Sequence, residues 1–179
     1  MPLNTNDINI RYSNPLAERG NSLPQNVPYL SLGKYVSTTN FLDNNNIHNL
    51  FPPLTGENNR LKRKEHLCIF ICNLHLSLTF YNVKVWINQQ ANTAEIRVGR
   101  DTVGLTELDS VAQQAIVIPE IYTPPPGVIF TQPVTYDDAL PLGNIPPQTC
   151  LAIWIQRIPL GNFISAQDLA EIKIVGDTV

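Results

Sequence analysis

The chain has 179 residues, a formal net charge of −3 and a sequence pI near 5.5, which suits one domain with or without an extended arm and leaves no basic footprint for nucleic acid. Charged residues make up 15% of it, against about 25% in ordinary soluble domains, and Pro, Asn, Gln and Thr take their place, a surface suited to packing against protein. No run of about 18 apolar residues occurs, so no spanning helix is expected, and residues 1–16 lack the apolar core of a secretory signal. The three cysteines, an odd number without such a signal, are expected as reduced thiols in a cytoplasmic setting.

Residues 1–60 hold 13 asparagines and six prolines, residues that favour turns and extended backbone. "VPYLSLGKYV" (27–36) reads as one strand. Phe41, Leu42, Ile47, Leu50, Phe51 and Leu54 are anchors spaced between turn formers. The expectation is an extended N-terminal arm over 1–60, laid on another surface, followed by a β-domain over 61–179. "RLKRKEH" (60–66) is the one basic run, and no aromatic residues interleave it as a nucleic-acid site would need. A solvated lead into the next strand, or a protein contact, fits it better.

From residue 65 the pattern becomes strand-like. "HLCIFIC" is a short apolar, β-branched and aromatic run. In "LSLTF" the apolar side chains fall at Leu76, Leu78 and Phe80, and in "VKVWI" at Val83, Val85 and Ile87. The phase flips at Tyr81-Asn82, which demands a bulge, bend or turn. One bent strand or two strands are therefore expected over 76–88. Further strands are predicted at 94–100, 113–118, 127–134 (an edge, because of Pro133), 149–157 and 169–177. "GLTELDSVAQQA" is the only, weak helix candidate. Short strands at regular spacing with Gly/Pro turns predict an all-β fold, an antiparallel β-sandwich.

Two cysteines and two histidines crowd "HLCIFICNLH". On a strand, His66, Cys68 and Cys72 share a face, but Cys68 and Cys72 lie about 13 Å apart. That is too far to share a zinc ion or a disulfide. His75 follows in a turn with no further ligand pair. No nucleophile elbow, P-loop or dinucleotide fingerprint is present. "VGRDTVG" (98–104) reads as a turn, and Asp137-Asp138 lacks the spacing of an ion-binding loop. No catalytic, cofactor-binding or metal-binding residue is assigned, and no enzyme is expected. Trp86, Trp154 and Tyr81 lie on or beside strands, and Arg157 is a candidate anchor for a loop or an interface.

The order "CIFICNLHLSLTFYNVKVWI", "PPGVIFTQPVT", "ALPLGNIPPQTCLAIWIQRIPLGN", "AEIKIVGDT" resembles a group of tailed-bacteriophage structural proteins. Their pattern falls here on Asn73, Asn82 to Ile87, Gly127 to Phe130, Leu140 to Arg157 and Val175 to Thr178, and the likeness covers about residues 40–179. Gln148 stands where the pattern has Gly. The resemblance implies an immunoglobulin-like or jelly-roll-like virion protein, such as a head cement (decoration) protein at the capsid surface, made in the host cytoplasm. Its implied partners are the major capsid protein and copies of itself, a homotrimer first and a dimer second, with no membrane or nucleic acid. A neck, tail or baseplate component is the alternative. A carbohydrate-binding sandwich would put aromatics at loop tips, whereas Trp86 and Trp154 fall within predicted strands.

Overall fold

A computed structural model describes residues 3–4, 6–17, 27–40, 49–161 and 168–178. Its strands are β1 (Ile8–Asn14), β2 (Gly33–Asn40), β3 (Glu65–Asn73), β4 (Phe80–Gln89), β5 (Ala94–Glu107), β6 (Ala115–Val117), β7 (Leu140–Ile145), β8 (Thr149–Pro159) and β9 (Glu171–Asp177). One sheet runs β5-β8-β3-β1-β2-β6 and the other β7-β4-β9. Every pairing is antiparallel. The protein is an all-β sandwich. Its one α-helix among the described residues is α1 (Gly56–Arg60), and no helix among them is long and apolar enough to cross a membrane.

β3 is buried at all nine positions, and β8 from Cys150 to Gln156. The reason is that both faces of the large sheet are covered. Odd-numbered side chains, Leu67, Ile69, Ile71 and Asn73, point toward the small sheet, where Asn73 Nδ2 donates to Ile145 O. Even-numbered ones meet residues 101–130: His66 stacks near Phe130, and Trp154 Nε1 donates to Asp101 Oδ2 at 2.6 Å. A strand apolar on both faces reads as an unbroken run, which is how "HLCIFIC" looks.

The first sixty residues are not a separate arm where they are described. β1 lies between β3 and β2, pairing Ile8 to Tyr12 with Asn73 to Ile69. The boundary expected at residue 60 thus falls between neighbouring strands of one sheet. Residues 27–36 divide into a 3₁₀ turn at Pro28–Leu30 and the start of β2. Of the six expected anchors, Phe41, Leu42 and Ile47 lie outside the described residues; Leu50 is buried in the common core and Phe51 packs against it.

The phase flip resolves as a bulge in one bent strand. Asn82 has φ +50°, and the register slips between Phe80↔Ile145 and Val83↔Gly143. Asn tolerates the left-handed region, and its neighbours brace it: Asn144 Oδ1 accepts from its N–H and Asp177 Oδ2 from its side chain. Residues 74–79, including Leu76 and Leu78, form a turn ahead of β4 instead of strand. The helix expected over 104–115 is absent, because β5 continues to Glu107. Residues 127–134 keep only one bridge, Val98↔Thr131, on the outer edge of β5. β1 and β7 were not anticipated, since "INIRYSN" and "LPLGNI" are rich in turn-forming residues.

β2 opens with two left-handed residues, Gly33 (φ +90°) and Lys34 (φ +77°), at the bulge against β6. A Cβ on Gly33 would stand 1.7 Å from Ile116 O, so β6 could not approach. Gly33→Ala is expected to cost about 2 kcal/mol or more, seen as a lower urea midpoint with an unchanged m-value.

Candidate functional site

The residues that looked like ligands are held apart by the strand and taken up in packing. His66 opens the even face of β3. Gln156 Nε2 lies 2.8 Å from its Nε2; an amide nitrogen only donates, so the imidazole Nε2 accepts. The ring proton is therefore on Nδ1, where Ile121 O lies at 3.3 Å. Burial lowers the His66 pKa, and Lys64 adds to this against the Ile121 hydrogen bond. Cys68 is fully buried opposite Trp154, and burial pushes its thiol well up. Cys72 lies opposite Cys150, a partner that counting cysteines along one strand misses. His75 organises the turn after β3, its Nδ1 accepting from the N–H groups of Ser77 and Leu78. Among the described residues no group of three or more His, Cys, Asp or Glu is placed to hold a metal ion.

Other singled-out groups also have structural partners. Asp101, inside β5 and not in a turn, accepts from Trp154 Nε1, Ile116 N and Val103 N. Arg157 anchors a loop: it pairs with buried Glu65, donates to Pro52 O at 2.8 Å and stacks over Phe51. Trp86 packs edge-on to Tyr136, which also carries Lys84 over its ring. The basic run is exposed from Arg60 to Lys64, with Arg63 over Tyr122. Asp138 closes a local turn with Thr135.

The surface offers a different kind of feature. Leu76 is 84% exposed at the tip of the β3–β4 turn, and that turn is held from several sides. Asn73 Nδ2 donates to Leu78 O as well as Ile145 O. Gln148 Nε2 donates to Leu74 O and His75 O. Gln148 itself adopts φ +54°, the conformation that favours Gly at this position of the resembled pattern. Its side chain supplies a brace that Gly lacks. Among the described residues, Ile129 (79%), Leu16 (75%) and Val111 (75%) are the other most exposed large apolar side chains outside the strands.

Two outcomes follow from this geometry. Gln148→Ala keeps the strained backbone and loses the amide, and is expected to cost about 1–2 kcal/mol. Gln148→Gly loses the amide but relieves the backbone, so in urea unfolding the unsubstituted chain should be the most stable, Gln148→Gly intermediate and Gln148→Ala the least. For His66, the folded-state pKa lies below the ordinary 6.5, so the unfolded chain takes up the proton first as pH falls. Its contribution is complete above about pH 6.5 and is lost progressively toward the lower folded value. The urea midpoint should drop over that window, and His66→Gln should flatten the drop.

No family model matches the chain, and no curated protein or solved structure matches it significantly.

Proposed function

We propose that the chain is a structural protein of a tailed-phage virion, a head cement or decoration protein that binds the major capsid protein lattice. The observation that carries the reading is the braced turn at Leu76. Polar side chains from β3 and from the β7–β8 turn hold it, and it displays an apolar tip to solvent. A preorganised apolar projection loses little entropy on docking, so it suits a contact that must form in many copies. The collinear strand motifs and the charge-poor surface support the same reading. So do the edge strands β7 and β9 of the small sheet, which self-association around a local symmetry axis would cover.

The mechanism is mass action. A ligand that binds only the assembled shell stabilises the shell. The reading assigns no catalytic residue, cofactor or metal, and the protein acts by contact at the capsid surface. Copies clustered as a homotrimer, with a dimer as the second choice, would present several Leu76 tips together.

Cryo-EM of purified virions should place the density on the head lattice, with copies per particle in the hundreds, whereas a neck ring holds about a dozen. Density confined to the neck, tail or baseplate overturns the cement reading in favour of that location. Leu76→Asp should weaken retention on heads by about tenfold or more without lowering the melting temperature. Equal retention by the variant removes Leu76 from the contact.

A further inference from the structure

β3 and β8 bring Cys72 and Cys150 directly opposite one another, in register. The kind of pair they form follows from the backbone. Along β3 the even-numbered N–H groups point away from β8: His66 N donates to Ile121 O, Cys68 N to Ser31 O and Leu74 N to Asp7 O. Alternation then aims the odd-numbered groups at β8, so Cys72 and Cys150 form a non-hydrogen-bonded pair. Cα atoms of such pairs stand about 4.5 Å apart with side chains drawn together, inside the span of roughly 4.4–6.8 Å that a disulfide bridges. Directly opposed residues of two strands put their side chains on the same face, so the two thiols are neighbours. Cys150 Sγ also lies 3.3 Å from Thr106 Oγ1 and 3.6 Å from Gln114 Nε2. Arg11, whose buried Nε has no hydrogen-bond partner among the described residues, contributes positive charge nearby.

We infer that Cys72 and Cys150 are a cross-strand redox pair that a hydroperoxide closes into a disulfide. The two sulfurs differ in the way this chemistry needs. The neighbouring Cys72, with Thr106 and Arg11, holds the Cys150 thiol below its usual value against burial, while burial raises Cys72 well above it. Both thiols are fully buried, so peroxide reaches them as the sheet opens locally, and Cys150, whose sulfur has Thr106 Oγ1 and Gln114 Nε2 against it, is the attacking thiolate. Its sulfur displaces hydroxide from hydrogen peroxide; the O–O bond breaks, a sulfenic acid forms and the hydroxide leaves as water. Cys72 then attacks Cys150 Sγ, the S–O bond breaks and a second water leaves. The sulfurs give up two electrons together, and the peroxide is reduced to two waters. Cys68 takes no part, lying opposite Trp154 and about 13 Å along the strand from Cys72. The bond closes a loop between distant strands and so stabilises the fold. It stays open in a reducing cytosol and closes in an oxidising medium. None of this depends on the virion reading.

The full chain should be treated with hydrogen peroxide, denatured, alkylated and weighed intact. The expected result is a fall from the three cysteine thiols to one, a mass loss of two hydrogens, a Cys72–Cys150 linked peptide and a higher melting temperature. Cys68→Ser should end with no thiol left, and Cys150→Ser should give no intramolecular link. Should Cys150→Ser fail to fold, Cys68→Ser decides alone, since two alkylatable thiols after peroxide treatment overturn the proposal. A link through Cys68, or a sulfinic acid on Cys150 beside an alkylatable Cys72, also overturns it.

Discussion

Every backbone group on both edges of β3 must find a partner, because all nine of its residues are buried and a buried N–H or C=O without a hydrogen bond is costly. β8 satisfies one edge along its whole length. The other edge is longer than any single neighbour and is shared among three segments: β1 beside residues 69–73, Ser31 at Cys68, and Ile121 at His66. This division ties the N-terminal sixty residues into the sheet. Where β1 slips out of register after Arg11, two buried serines take over from the ladder. Ser31 Oγ donates to Cys68 O and accepts from Ser13 N, while Ser13 Oγ accepts from Gly33 N. The chain then enters the left-handed pair at Gly33 and Lys34, and β6 can approach.

The same demand accounts for the polar side chains that look like chemistry. Asp101 sits under the large sheet because the Trp154 indole and the Ile116 amide need an acceptor there. Gln114 has the same role at the other end of that face, bonding Val36 N and Glu107 O. His66 and Gln156 complete each other across β3 and β8. Arg157 reaches the backbone of the Phe51–Pro52 loop while its charge is met by Glu65. A buried charge broken from its partner is strongly destabilising, so these groups hold the loops that close over both faces of the sheet. Turns are held in the same way: Asn73 and Gln148 brace the one at Leu76, and Asp168 the one at Asn92 and Thr93.

Much of the strand pattern was legible in the chain. The alternation around "VKVWI", "AEIRVGR", "TCLAIWIQR" and "AEIKIVGD" marks β4, β5, β8 and β9, and the phase flip at Tyr81-Asn82 marks the bulge. β1 and β7 were not legible: Asn, Ser, Gly and Pro in "INIRYSN" and "LPLGNI" signal turns, and only tertiary pairing overrides that preference. "GLTELDSVAQQA" failed in the other direction, since pairing with β8 continues β5 into it. The turn at Gln148 could be suspected from a Gln standing where Gly suits the pattern, but the carbonyls it braces belong to residues 74 and 75.

By itself the sequence determined the two-residue period, the turn chemistry and the separation of Cys68 from Cys72 along one strand face, because each depends on residues close along the chain. Which strands would be neighbours, and therefore that Cys72 faces Cys150 and His66 faces Gln156, was decided only by tertiary structure. Register between strands 78 or 90 positions apart is set by mutual burial of their faces and by which edge of β3 remains for β1. Neither is encoded in any local stretch.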